Sequence, residues 1–122
     1  MRNPYIIACL LSVLLFAPSV FSKQSGAFRN IQIHYNGTHV VIKGEACLKE
    51  GLFFYTVEDG HYVFVEETLV KVNKKAPNWS PFSITLSKDK IPKLKNVMLV
   101  LYERKIEDGT IINETAIPLP NK

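Results

Sequence analysis

The chain has 122 residues, of which 47% are hydrophobic and 21% charged, with a formal net charge of +4. That length suits one compact domain behind a short leader and leaves no room for a second domain. A charge so small, with Lys and Glu interspersed, excludes the concentrated basic footprint of a nucleic-acid binder.

Met1-Arg2-Asn3 precedes an almost unbroken apolar run from Tyr5 to Phe16, and the segment closes on Val20-Phe21-Ser22. A charged start, an apolar middle and small or β-branched residues before the cut make up a secretory signal. Residues 1–22 are therefore expected to be a cleaved signal peptide and residues 23–122 a secreted, extracytoplasmic domain. The apolar run is broken by Pro18 and is shorter than the ~20 residues of a spanning helix, so no stable membrane insertion is expected after cleavage. Cys9 would leave with the signal. Cys47 would then stand alone, without an intramolecular disulfide, and its neighbours Ala46 and Leu48 suggest a buried small hydrophobe.

The rest alternates β-branched and aromatic runs with turn residues about every ten positions. Strands are expected near Ile31–Tyr35, His39–Leu48, Leu52–Val57, Tyr62–Val72, Phe82–Leu86, Val97–Ile106 and Ile111–Leu119. About seven strands without a long amphipathic helix predict an all-β, immunoglobulin-like antiparallel β-sandwich, with a transthyretin-like carrier as the competing fold. Asn36-Gly37 predicts a two-residue hairpin that sets His34 opposite His39. Glu58-Asp59-Gly60 and Glu107-Asp108-Gly109 predict three-residue loops, the second pairing Glu103 with Asn113 rather than with the like-charged Glu114. Lys74, Lys75, Pro77 and Pro81 exclude a central strand over 73–81 and predict a crossing between sheets that contains Trp79.

The sequence contains no Gly-x-Ser-x-Gly elbow, His-Glu-x-x-His helix, phosphate loop or Cys-x-x-Cys, so no enzyme, cofactor or metal is expected. The histidines are His34, His39 and His61. A His34–His39 pair would be half a zinc site without a third ligand. The Glu58-Asp59 and Glu66-Glu67 neighbours would point apart in a strand or lie in solvent.

The distinctive segment is Leu52–Val65, which is apolar on both faces. One face would carry Leu52, Phe54, Tyr62 and Phe64, and the other Phe53, Tyr55, Val57, Val63 and Val65. A sandwich strand normally buries one face, so the second needs cover from a loop, a dimer or a partner. Phe53, Tyr55, Val63 and Val65, with Trp79 as an aromatic anchor, form the candidate binding surface.

Val41-Ile42-Lys43-Gly44-Glu45-Ala46, the two Glu-Asp-Gly turns, Pro81-Phe82-Ser83-Ile84, Leu99-Val100-Leu101-Tyr102-Glu103 and Ala116-Ile117-Pro118-Leu119 form a pattern. In it the chain resembles the immunoglobulin-like domain associated with bacterial spore germination proteins. The resemblance implies an extracytoplasmic adhesive or adaptor module without catalytic residues. The expected function is therefore a secreted, non-enzymatic binding module at the cell envelope or spore surface, linked to sporulation or germination. Its partner would be a protein or another envelope component. Alternatives are a small inhibitor that inserts the loop at 73–81 into an extracellular hydrolase, and a structural spore or matrix subunit that forms homo-oligomers through sheet edges.

Overall fold

The computed structural model describes residues 26–93 and 96–120. The signal-peptide expectation falls on residues 1–22, which lie outside the described residues.

Seven strands follow in chain order: β1 (Phe28–Asn36), β2 (His39–Ala46), β3 (Leu52–Glu58), β4 (Val63–Lys71), β5 (Ser80–Ser87), β6 (Met98–Arg104) and β7 (Ile111–Pro118). One 3-10 turn, Lys88–Lys90, follows β5 and is capped by the Ser87 hydroxyl, which accepts from the Asp89 amide. All strand pairs are antiparallel. They form a three-stranded sheet in the order β1-β2-β5 and a four-stranded sheet in the order β4-β3-β6-β7. The fold is the expected all-β sandwich. The fourth strand joins the sheet of the third, whereas a constant-type immunoglobulin domain keeps it with the first, second and fifth.

The core follows from the period-two pattern of the strands. Phe82, Ile84 and Leu86 of β5 and Phe53, Tyr55 and Val57 of β3 point inward, and the residues between them face out. Phe28, Phe53 and Phe82 meet edge to face at its centre, with ring centroids 5.0–6.3 Å apart. Central strand β6 is buried on both sides, including Val100 and Tyr102 on the face away from the core.

The crossing at 72–79 carries the chain from one sheet to the other, as expected. Ser80, fully buried, anchors it by accepting from the Lys74 amide at 2.8 Å, and Ala76 donates to the Leu48 carbonyl at 2.8 Å.

The turns depart from expectation in detail. Asn36 is the last residue of β1 and pairs with His39, so the two-residue loop is Gly37-Thr38. Gly37 has φ +61 at the first central position, where a II′ turn requires glycine. This register gains the apolar pair Tyr35–Val40. It sets His34 opposite Val41, so the two histidines are diagonal neighbours instead of a facing pair. Both Asp-Gly loops also differ from the expected three residues: four residues separate Glu58 from its partner Val63, and six separate Arg104 from its partner Ile111. Asp59 accepts the amides of His61 and Tyr62, and Asp108 accepts that of Thr110. Each aspartate thus closes its own turn from the side chain. Cys47 is half-buried just beyond β2; Ala46 and Leu48 on either side are fully buried, and alternation turns the thiol the other way.

Candidate functional site

The two faces of the β3–β4 hairpin are not equivalent. Phe53 (0% exposed) and Tyr55 (9%) lie in the core, so they cannot form the expected binding surface. Their strand had to choose a side, and the side with Phe53 and Val57 fits the aromatic cluster from β1 and β5. The open face is the other one, with Leu52, Phe54 and Thr56.

Val63 and Val65 are also separated. Two bulges in β4 pair Val57 with Val65 and Glu58 with Val63. Each extra residue reverses the alternation. Val65 therefore packs against the core, while Val63 turns outward and is 48% exposed. Trp79 lies at the end of the crossing, just before β5 of the other sheet, half-buried, with the Arg29 guanidinium 3.9 Å above its ring. Arg29 is held in turn by Glu45 at 2.7 Å, and Asn30 donates to the same carboxylate oxygen at 2.8 Å. The aromatic is thus capped by a cation rather than presented as an anchor. Of the expected surface residues, Val63 is the most open.

The outer face of the four-stranded sheet carries the site that the structure assembles. Phe54 pairs with Leu69 on one side and Tyr102 on the other. The Phe54 and Tyr102 rings stack at 5.9 Å with 21° between their planes. Arg104 lies 5.9 Å from the Phe54 centroid and 5.6 Å from that of Tyr102. One carboxylate oxygen of Glu67 gathers the group, accepting from the Tyr102 hydroxyl and from Arg104 Nη2 at 2.7 Å. Leu69, 46% exposed, borders this cluster on the edge strand.

Electrostatics fix the protonation of these groups. Hydrogen bonds from Arg104 and then Tyr102 hold the Glu67 carboxyl below the usual carboxylate range. Burial, and then the bond to Glu67, push the Tyr102 phenol up to about 12. At neutral pH Glu67 is ionised and Tyr102 protonated. Each is thus kept in its resting form, which suits a rigid surface better than proton transfer.

A second open area lies at the tip of the β6–β7 hairpin, where Ile106 is 73% and Ile111 43% exposed. A cavity of about 480 Å³ beside it is lined by Lys49, Glu50 and Glu107 among others. At its inner edge the buried Glu103 accepts from the Asn113 amide at 2.6 Å. The expected Glu103–Asn113 association is present through side chains, although the backbone partner of Glu103 is Ile112. Among the described residues no group of three or more His, Cys, Asp or Glu is arranged to hold a metal ion.

Sequence reasoning missed Phe54, Glu67, Leu69, Tyr102 and Arg104 as a unit. Phe54 was legible as half of a two-faced strand. The grouping with Glu67 and Tyr102 needed the β3–β6 pairing and the β4 bulges.

Neither the curated proteins nor the solved structures contain a match to the chain. The model of one family does match, over residues 32–110, and that span contains β2 to β6 whole and the second half of β1. The two-sheet sandwich agrees with it, and the chain belongs to the family of immunoglobulin-like domains of bacterial spore germination.

Proposed function

We propose that the protein is an extracytoplasmic, non-enzymatic adaptor of the spore or cell envelope, exported by a signal peptide over residues 1–22. It docks onto another envelope protein through the outer face of its four-stranded sheet. The observation that carries this reading is the Phe54–Leu69 apolar surface beside the locked Glu67–Tyr102–Arg104 cluster. A sandwich already has its core on the inner side, and apolar surface left on the outer side is characteristic of interaction sites. The family's link to spore germination supports the envelope as the setting.

The test is capture from envelope and spore-coat fractions with the wild-type chain and with Phe54→Lys and Leu69→Lys. One protein retained by the wild type and lost in both variants is the expected result. Equal capture by all three would remove this face from the function. N-terminal sequencing of the exported protein tests cleavage after Ser22.

A further inference from the structure

A seven-strand sandwich in two open sheets has four edge strands, here β1 and β5 in one sheet and β4 and β7 in the other. Three of them are interrupted. β1 carries an extra residue between Arg29 and Gln32, β4 carries two bulges opposite Tyr55–Glu58, and β7 carries one opposite Leu101–Glu103. Asn30 and Asn113 sit at the first and last of these with φ 55. Bulges, and charges such as Glu66, Glu67 and Glu114, disrupt the row of free backbone groups that another strand would pair with.

β5 differs. Its pairing with β2 runs unbroken from His39–Ser87 to Ala46–Ser80, and Ser80–Ser87 contains no charged side chain. Pro81 identifies the groups that face the free edge. In an antiparallel ladder alternate residues bond to the partner strand and the others turn away. Pro81 has no N–H to give β2, so it belongs to the set turned away, as do Ser83 and Thr85. The Ser83 and Thr85 amides and the carbonyls of Pro81, Ser83 and Thr85 therefore face outward. Their side chains are exposed and small.

We infer that β5 is a second docking element, which accepts an extended segment of another protein as an added strand. The surrounding charge specifies the occupant. Lys74 and Lys75 precede β5, and Lys88 and Lys90 follow it with Asp89 the sole acid between them. Lys43 is exposed on the neighbouring strand opposite Ser83. A second copy would bring lysines against lysines in either strand direction, which disfavours it. The fitting segment has an uncharged, strand-forming centre and acidic flanks.

The test uses the full chain and a synthetic peptide of alternating valine and threonine with aspartates at both ends, beside the same peptide flanked by lysines. The aspartate-flanked peptide is expected to bind, to slow amide exchange at Ser83 and Thr85, and to weaken as salt is raised. Ser83→Pro, which removes an outward donor as Pro81 already does, should weaken binding by about tenfold, while Leu69→Lys should leave it unchanged. If Ser83→Pro does not fold, the wild-type chain with an alternately N-methylated aspartate peptide replaces it, and loss of binding is again expected. Equal binding of the lysine-flanked peptide, protection at β1, β4 or β7 instead, or self-association through β5 would each overturn the inference. Because the readout is confined to β5, its failure leaves the outer face of the four-stranded sheet untouched.

Discussion

Gly44 stands opposite Phe82 in the β2–β5 ladder, and a Cβ on Gly44 would lie 2.9 Å from Phe82 Cζ and 2.6 Å from Ile31 Cδ1. The backbone there is ordinary, so space alone requires glycine. Phe82 cannot retreat, because its ring is wedged against Phe28 and Phe53. Gly44→Ala should destabilise the domain by about 1–3 kcal/mol through overpacking, and Gly44→Val by more. Urea denaturation measures both, and an unchanged midpoint for Gly44→Ala would contradict the close contact.

Adjacent residues of β3 should respond oppositely to charge. Tyr55→Lys places an ammonium in the core and should cost more than about 3 kcal/mol or prevent folding. Phe54→Lys lies on the outer face and should leave a folded domain with a change of about 1 kcal/mol, from lost stacking on Tyr102. Thermal unfolding of the two variants side by side decides which face is inside.

The Glu67 cluster predicts a pH dependence of definite sign. Its carboxyl is depressed in the folded state, so its contribution is present above the unfolded carboxylate pKa and is lost as pH falls through the lower folded value. Glu67→Gln should flatten that acid limb. The Tyr102 phenol, raised to about 12, contributes below the unfolded tyrosine pKa near 10 and loses this as pH rises through 12. Burial also raises the Tyr35 phenol, so an ultraviolet titration should lose its latest-ionising tyrosine in Tyr102→Phe and keep the raised Tyr35.

Asn113 combines a left-handed backbone, φ 55, with a hydrogen bond to the buried Glu103. Asn113→Gly keeps the backbone and loses the bond; Asn113→Ala loses both. The alanine variant should be the less stable of the two by about 1 kcal/mol, the cost of a Cβ in that conformation. Chemical denaturation of the pair tests the order. Equal stabilities would mean that the bulge relaxes.

The strands were legible because their alternation is strong. β3 and β6 begin and end within two residues of expectation, and the Pro- and Lys-rich crossing falls where expected. The parity of the edges was not legible. A bulge adds one residue without a composition signal, yet it turned Val63 away from Val65 and made Ile112 the partner of Glu103. The two-faced β3 failed for another reason. Phe53 and Phe54 are equally hydrophobic, and the choice between them was made by Phe28 and Phe82, which are distant in sequence. Trp79 was placed correctly in the crossing, but its partner Arg29 belongs to the opposite edge of the sheet.

The Tyr35 hydroxyl donates to the Pro120 carbonyl, joining the far end of β1 to the chain just past β7. β1 therefore enters the sandwich at one pole, where Phe28 faces Ala46, and the chain leaves β7 at the other. Tension applied between these two points would slide β1 along β2 and β7 along β6. Each ladder would then resist with its bonds loaded together instead of one after another. The tyrosine clasp adds a tether in line with the load, and a domain of this build is suited to resist being pulled apart from its two ends.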